Sequence, residues 1–205
     1  LAREQGARAK RFPVIPDDYE KIRRAVKEAA QKYDLVIINA GSSAGTEDYT
    51  VHVLRELGEV AVHGVAIKPG KPVILAVVDD CPVIGLPGYT VSAYIGFDIF
   101  LIPVLSMLGD FTCRKNPVVD AVISKRLVSS LKHREYIRVK VGKVGEKLVA
   151  APLARGAGAA MSMVRADGFC VIPQNSEGVE ASETVSVEPY RVIQEIEHTL
   201  VVIGS

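Results

Sequence analysis

The feature that most constrains the fold is a short apolar run at residues 35–38, which lies between a helical pattern and a glycine-rich loop. A strand in a half-exposed sheet alternates apolar and polar side chains, so a strand without alternation is buried on both faces. Helices must then cover both faces of the sheet. The run therefore predicts an α/β domain with a three-layer, mostly parallel sheet and helices on both faces.

The neighbouring segments continue this pattern. Apolar residues at three- and four-residue steps predict a helix over residues 17–33, with Asp17 as N-cap and Glu20 completing a capping box. Alternating strands and helices with short connections then predict βαβ units. The predicted helices cover residues 48–57 and 90–108, and the predicted strands cover residues 60–67, 73–78 and 83–86, with a turn at residues 79–80.

Beyond residue 117 the chain changes to short strands separated by glycine, serine and charged turns, which is typical of a small all-β barrel or sandwich of about 70 residues. These strands are predicted over residues 118–123, 135–144, 147–152, 169–173 and 184–189. We therefore expect an α/β domain at residues 1–112 and a β domain at residues 113–192. Residues 193–205 are expected to be a linker that opens a further domain, or alternatively a terminal strand of the β domain.

The charge and the cysteines exclude several classes of protein. A formal net charge of +1 gives no overall field to capture nucleic acid or an anionic membrane, so neither is an expected partner. The three cysteines show neither metal-binding nor disulfide spacing, which fits the reducing cytoplasm. Residues 91–108 are apolar, but they contain Gly96, Asp98 and Pro103, so they predict a buried helix rather than a membrane span.

Residues 41–48 form the first of three loops that suggest an anion site. The loop follows the buried run and precedes a helix, which is the edge at which open α/β sheets bind ligands. Its glycines permit close approach, its hydroxyls donate, and the free amides of the helix favour an anion. The residues predicted to bind are Gly41, Ser42, Ser43, Gly45 and Glu47. Taken alone, the loop fits a plain turn before a capped helix equally well.

Asp48 ends this loop and is the predicted metal ligand. An acid beside bound phosphate indicates a divalent metal between the two negative groups, although Glu47 and Asp48 also fit as helix caps that complement the dipole.

The second loop carries Lys68 and Lys71 on a turn stiffened by two prolines. Lysine donates to phosphate and other oxyanions, so we expect both lysines to bind the ligand rather than only solvent.

The third loop, residues 85–88, again joins a strand to a helix and contributes Pro87 and Gly88. Tyr89 follows it and fits either stacking on a flat heterocycle or packing at the surface.

In the β domain, Arg134 and Arg138 lie two strand periods apart and so share a face, where solvent is the alternative to a ligand. Small residues before Ser162 suggest a further anion contact there.

These motifs resemble the MoeA family, also known as the gephyrin E domain. The resemblance rests on Gly-Ser-Ser-Ala-Gly-Thr-Glu-Asp-Tyr at residues 41–49, His-Gly-Val-Ala-Ile-Lys-Pro-Gly-Lys-Pro at 63–72 and Gly-Leu-Pro-Gly at 85–88. In the second half, Arg-Glu-Tyr-Ile-Arg-Val and Ser-Met-Val-Arg-Ala-Asp-Gly-Phe-Cys-Val-Ile-Pro are similar to the family's C-terminal β domain. MogA-type adenylyltransferases are related but lack such a β domain.

The resemblance implies molybdenum cofactor biosynthesis by a molybdopterin molybdenumtransferase. Such an enzyme inserts molybdate into adenylylated molybdopterin and releases AMP in a Mg²⁺-dependent reaction. By position, Asp48 matches the family's acid for metal and molybdate, and Lys68 and Lys71 match its basic loop, so these three are the expected catalytic residues. The resemblance also implies a pterin and phosphate pocket lined by Gly41, Ser43 and Pro87, and a homodimer in which Ser162 with Arg134 or Arg138 reaches across.

The chain departs from the family at Tyr89 and Thr90, where Asn-Pro is usual. The family's two N-terminal domains and the first strand of the pterin domain are also expected to be missing, so this stretch alone is expected to bind ligand weakly. A molybdopterin adenylyltransferase is a further expected partner. Three alternatives stay open, namely the equivalent tungsten chemistry, a MogA-like adenylyltransferase, and a non-catalytic molybdopterin-binding or scaffold module.

Overall fold

The computed structural model describes residues 1–40, 49–112, 116–156, 160–190 and 193. The chain divides into two compact units. The first unit consists of Leu1–Val65 and Gly70–Cys113, and the second of Arg114–Ser205 together with the short segment Ala66–Pro69. A four-residue piece from the predicted α/β domain therefore belongs to the β unit. Apart from residue 193, the predicted linker at residues 193–205 lies outside the described residues.

Helices and strands mix in the first unit, whereas strands dominate the second. The helices are α1 (Tyr19–Ala30), α2 (Tyr49–Leu57), α3 (Thr90–Gly96), α4 (Ile102–Gly109) and α5 (Ala160–Arg165), with a 3₁₀ turn at Ala2–Gln5. The strands are β1 (Val36–Ala40), β2 (Glu59–His63), β3 (Ile67–Lys68), β4 (Ile74–Val78), β5 (Cys81–Pro87), β6 (Val119–Ile123), β7 (Leu127–Val128), β8 (Arg134–Val144), β9 (Lys147–Pro152), β10 (Gly168–Ile172), β11 (Gly178–Val179) and β12 (Thr184–Pro189).

Helix α1 confirms the predicted amphipathic helix, but its N-cap lies one residue later than predicted. Asp18, not Asp17, is the N-cap, because its backbone is extended and its side chain accepts a hydrogen bond from the amide of Lys21 at 2.9 Å. Val26 and Ala30 lie on the buried face of the helix. Two adjacent aspartates offer the same side-chain chemistry, so only the backbone conformation decides which one caps.

The sheet of the first unit has the strand order β1-β5-β4-β2. Strand β1 is parallel to β5, but β4 is antiparallel to both β5 and β2. The prediction of a mostly parallel sheet is therefore wrong for the described strands. The reason is the connection between β4 and β5, where Asp79 and Asp80 both have positive φ and form a two-residue hairpin turn. Such a turn joins antiparallel neighbours only, since a parallel crossover needs a dozen or more residues.

Helices pack on both faces of β5. Cys81 and Val83 belong to a buried cluster with residues of α1, α2 and β4. Ile84 and Leu86 instead belong to a second cluster with residues of the helical segment Phe97–Leu101. Because successive strand residues point to opposite faces, this division follows from the unbroken apolar sequence of the strand.

Helices α3 and α4 form one continuous helix, Thr90–Gly109, joined by the π-helical segment Phe97–Leu101. Pro103 follows this segment and has no amide to continue the α-helical hydrogen bonds, which accounts for the irregular turn. By length and composition the helix is long and apolar enough to cross a membrane, as are many core helices. Val91 and Ile95 in α3 are buried, whereas no residue of α4 is, so the prediction of a buried helix holds only for the first part of this helix.

The second unit contains a small closed five-stranded barrel, which confirms the predicted barrel and excludes the sandwich. The ring runs β10-β12-β6-β9-β8 and closes through a β8–β10 pairing, and β3 pairs in parallel with the start of β8. In β8 the alternate residues Ile137, Val139 and Val141 fill the barrel interior. The short strands β7 and β11 pair with each other outside the ring.

Replacement of Val139 by alanine tests this interior. Val139 is 0% exposed, whereas Val144 on the same strand is 54% exposed. Val139→Ala should lower the free energy of unfolding by roughly 2 kcal/mol, because it removes buried methyl groups and leaves a cavity. Val144→Ala, with the same chemical change, should alter it by less than about 0.5 kcal/mol. Urea denaturation followed by circular dichroism measures both, and equal losses would contradict the described burial.

Candidate functional site

Two of the three predicted loops begin at the same edge of the first unit's sheet. Strands β1 and β5 run parallel, and their last register pair is Ala40 with Pro87. The loop at residues 41–48 and the loop at Gly88 therefore leave the sheet from neighbouring strand ends. This is the carboxyl edge of parallel strands, where α/β proteins bind their ligands. Pro87 is buried and Gly88 is exposed.

Lys71 approaches the same edge from the opposite direction. Strand β4 is antiparallel to β5, and its first residue, Ile74, pairs with Gly85. Lys71 lies three residues before this strand begins, in the turn that leads into it. The backbone there is held by two hydrogen bonds, since the carbonyl of Lys71 accepts from Val65 at 2.8 Å and the carbonyl of residue 73 accepts from residue 64 at 2.8 Å. The side chain of Lys71 is exposed.

The long helix begins at this edge without a side-chain cap. Tyr89 occupies the N-cap position, where its carbonyl accepts from the amide of Ala93 at 2.8 Å, and its own side chain makes no capping hydrogen bond. Thr90 begins the helix rather than capping it. Uncapped amides at a helix start favour an anion. Tyr89 is 56% exposed and follows the end of β5 at the same edge.

Several predicted site residues lie outside the described residues. They are Gly41, Ser42, Ser43, Gly45, Glu47 and Asp48. Their predicted roles in phosphate and metal binding stay predictions. Elsewhere, the described part of the chain contains no group of three or more histidine, cysteine or acidic side chains that would hold a metal ion.

Two thiols in the described part of the chain, those of Cys81 and Cys170, are free and buried. Burial raises the pKa of the Cys170 thiol to about 11.

Lys68 belongs to the second unit, unlike Lys71. It lies in β3, whose parallel pairing with β8 sets Lys68 opposite Glu135. Its ammonium lies 3.5 Å from Oε1 of Glu135. The sequence predicted two lysines on one turn with the same function, whereas the structure assigns them to different units and pairs Lys68 with a carboxylate.

Glu135 is a residue that the sequence analysis missed. It is only 3% exposed, and its Oε2 accepts a hydrogen bond from the hydroxyl of Ser129 at 2.8 Å. Besides Lys68, the guanidinium of Arg155 approaches Oε1 at 3.6 Å. A signal was present, because Glu135 shares the strand alternation of Ile137 and so falls on the inward face of β8. A charge on an inward position requires partners.

The two predicted arginines of β8 differ in environment. Arg134 is exposed, lies 3.7 Å from Glu188 and stacks over the ring of Tyr136 with its guanidinium carbon 5.7 Å from the centroid. Arg138 is only 4% exposed, and its two terminal nitrogens each donate to a backbone carbonyl, those of Ala154 and Gly156, at 2.9 Å. Desolvation lowers the pKa of Arg138. Binding of a ligand by either arginine stays a prediction.

Ser162 lies in the short helix α5 and is half-buried. Its carbonyl accepts from the amide of Ala166 at 3.0 Å. The small residues 157–159 that precede this helix lie outside the described residues, so the predicted anion contact there stays a prediction.

Both halves of the chain match known protein families. Residues 1–107 match the family described as a probable molybdopterin binding domain. Residues 120–190 match the family described as the MoeA C-terminal region, domain IV. The first match covers more than half of the chain, and the two matches follow in the order of the two units.

Relatives and solved structures agree with these matches. A putative molybdopterin biosynthesis protein of Methanocaldococcus jannaschii is 35% identical over 91% of this chain and 44% of its own length. The molybdopterin molybdenumtransferase of Haemophilus influenzae is 30% identical over 86% of this chain and 45% of its own length. This chain thus spans less than half the length of these curated relatives.

The crystal structure of a molybdopterin biosynthesis MoeA protein from Pyrococcus horikoshii superposes with a TM-score of 0.69 at 36% identity, covering 87% of this chain and 42% of that one. A molybdenum cofactor biosynthesis protein from Pyrococcus furiosus gives 0.68 at 26% identity, covering 87% of this chain and 57% of that one. From these matches and the fold, the chain belongs to the MoeA family, with a molybdopterin-binding unit followed by a domain IV barrel.

Proposed function

We propose that this chain performs the molybdopterin-binding part of a molybdenumtransferase reaction, in which molybdate enters adenylylated molybdopterin and AMP is released. The observation that carries the proposal is the register of β1 with β5, because it brings two glycine-containing loops to one sheet edge. The names of the curated relatives support the same activity. The reaction would take place above this edge, at residues 41–48, Gly88 and Lys71.

The residues at the edge suit a ligand that carries phosphate groups. The uncapped amides after Tyr89 offer hydrogen-bond donors with the positive end of a helix dipole. Lys71 adds a full positive charge on a backbone held by hydrogen bonds. Glycine at positions 41, 45 and 88 lets the ligand approach the main chain closely. Pro87 would contact the pterin from the end of β5.

Asp48, with Glu47 beside it, would hold Mg²⁺ together with the substrate's phosphates. The fit rests on the donor set, because Mg²⁺ is commonly bound by one or two carboxylates plus substrate phosphates. When bound, the ion supplies positive charge that stabilises negative charge developing on the oxygens of the substrate. Lys71 and the free helix amides would orient the same phosphates and so reduce the entropy cost of reaching the reactive geometry.

We also propose a homodimer in which Ser162, with Arg134, contacts the ligand held by the partner. Of the two predicted arginines Arg134 is the better candidate, because it is exposed while Arg138 is 4% exposed and bonded to the carbonyls of Ala154 and Gly156. Support for a protein interface comes from apolar side chains that the described part of the chain leaves exposed, namely Met107 at 82% and Leu108 at 48% on α4.

The proposed location is the cytoplasm, because its reducing conditions keep thiols such as those of Cys81 and Cys170 free. A molybdopterin adenylyltransferase is the proposed supplier of the adenylylated substrate.

Replacement of Asp48 tests the proposed metal ligand. Asp48→Ala should lower Mg²⁺-dependent release of AMP from adenylylated molybdopterin, in the presence of molybdate, by at least about a hundredfold, because the metal loses its protein ligand. Asp34→Ala is the matched control, since Asp34 is exposed and precedes β1 instead of following it. Chromatographic assay of AMP measures both. Full turnover by Asp48→Ala would overturn the assignment of this residue.

Replacement of Lys71 tests phosphate recognition at the edge. Lys71→Gln should raise the Kd of adenylylated molybdopterin about tenfold, because one charge-assisted hydrogen bond is lost. The difference should shrink as the salt concentration rises. Lys32→Gln is the control, since Lys32 is also exposed but lies before the amino end of β1. Calorimetry gives both constants, and equal effects of the two substitutions would contradict a specific role for Lys71.

A further inference from the structure

The buried guanidinium of Arg138 is not explained by the sheet-edge site. Arg138 is 4% exposed, forms no ion pair in the described part of the chain, and has an Nε without a hydrogen-bond partner there. Burying a charge costs free energy, and an apolar side chain of similar volume at a buried charged position is often neutral or stabilising. The charge of Arg138 therefore requires a role other than stabilising the barrel.

The side chain of Arg138 holds one short loop. Its two terminal nitrogens donate to the carbonyls of Ala154 and Gly156 at 2.9 Å. Its own carbonyl accepts from the amide of Leu153 at 2.9 Å. A guanidinium carries its donors in a rigid planar fork, so it can fix two carbonyls at once in one geometry. These three bonds tie residues 153–156, which follow β9, to β8.

The loop leads to α5, the short helix that carries Ser162. The far end of α5 is also anchored on β8, because Asp167 donates its amide to the carbonyl of Val139 at 2.9 Å. In addition, the hydroxyl of Tyr190 donates to the carbonyl of Met163 at 2.8 Å. The helix itself has no buried residue. Since apolar burial does not fix α5, its position depends on the hydrogen bonds around it and at its two ends.

We propose that Arg138 is a positioning residue, which holds residues 153–156 on β8 and thereby holds α5 and Ser162 where they meet the ligand. The loop is tied from its other side as well, since the guanidinium of Arg155 donates to the carbonyl of Val128 at 2.7 Å. Restraint of this kind lowers the entropy cost of binding. The contact between Ser162 and the ligand rests on the proposed function, whereas the restraint of α5 rests only on contacts within the barrel unit.

Arg138→Met tests the proposal by kinetics. The freed carbonyls belong to Ala154 and Gly156, which are exposed, so water can bond to them and the variant should stay folded, as circular dichroism checks. In the AMP-release assay it should raise the KM of adenylylated molybdopterin about tenfold and leave kcat within about twofold, because a binding contact is weakened and the chemical step is not.

Two further variants complete this comparison. Arg126→Met is the matched control, because its side chain is 67% exposed, and it should change neither constant by more than about twofold. Arg138→Lys keeps the charge but not the fork, so it should raise KM by less than Arg138→Met does. If Arg138→Met does not fold, Arg138→Lys takes its place, and an unchanged KM there counts against the proposal.

A double-mutant cycle tests whether Arg138 acts through Ser162. Ser162→Ala removes the proposed ligand contact and should raise KM about tenfold. Adding Arg138→Met to Ser162→Ala should then raise KM by less than about twofold more, because the contact that Arg138 positions is already lost. A general structural role of Arg138 would instead make the two effects multiply.

Amide hydrogen exchange measures the restraint without any ligand. The amide of Ala166 donates to the carbonyl of Ser162 at 3.0 Å and so reports on α5. The amide of Cys170 lies in β10, which is paired on both sides, and reports on the barrel. Arg138→Met should speed exchange at Ala166 about tenfold and leave exchange at Cys170 within about twofold.

Three results would overturn the proposal. They are an unchanged KM in Arg138→Met, independent effects of Arg138→Met and Ser162→Ala, and unchanged exchange at Ala166. An unchanged KM in Ser162→Ala would count against the proposed ligand contact instead. Exchange at Ala166 would then decide by itself whether Arg138 positions α5.

Discussion

The parallel pairing of β1 with β5 is the constraint on which the first unit depends. Strand β5 lies between β1 and β4, and its alternate side chains join two separate helix-covered clusters. The same pairing ends at Ala40 and Pro87, so it also determines where both loops leave the sheet. On the other side of β5, close packing restricts the contact with β4, since a Cβ at Gly85 would lie 3.0 Å from the side chain of Ile74. Burial and ligand-binding geometry thus follow from one interaction.

In the barrel unit, a different constraint governs the charges. Burying a carboxylate costs several kcal/mol unless hydrogen bonds and opposite charges offset the lost hydration. Glu135 meets this requirement through Ser129, Lys68 and Arg155. The cost explains why these groups are gathered and held, since removing any one would leave a buried charge poorly compensated. The segment Ala66–Pro69 is thereby joined to the barrel by side chains as well as by the pairing of β3 with β8.

Much of the fold could be predicted because its signals are local. The unbroken run at residues 35–38 correctly predicted strand β1, but the predicted burial on both faces is wrong for the described residues, since β1 ends the sheet and Ile37 is 44% exposed. The short runs after residue 117 predicted a barrel or a sandwich, and the structure shows the barrel. The prediction of a mostly parallel sheet was wrong, because apolar runs mark strands without indicating their direction, whereas the two-residue turn at Asp79 and Asp80 makes β4 antiparallel to β5. For the site, the sequence identified Pro87, which ends β5, and Lys71, which lies three residues before the start of its antiparallel neighbour β4. It did not identify Glu135 or Arg155.

The sequence by itself determined the family, the order of the two units and the three loops, because motifs and periodicity are properties of neighbouring residues. Only the tertiary structure decided the partners of the charged side chains. Lys68 and Arg155 are far apart in the chain, and no spacing rule predicts that both meet Glu135. Arg138 looked equivalent to Arg134 along β8, yet one is buried against carbonyls and the other is exposed. The physical reason is that strand alternation determines which face a side chain lies on, while its neighbours on that face come from distant segments.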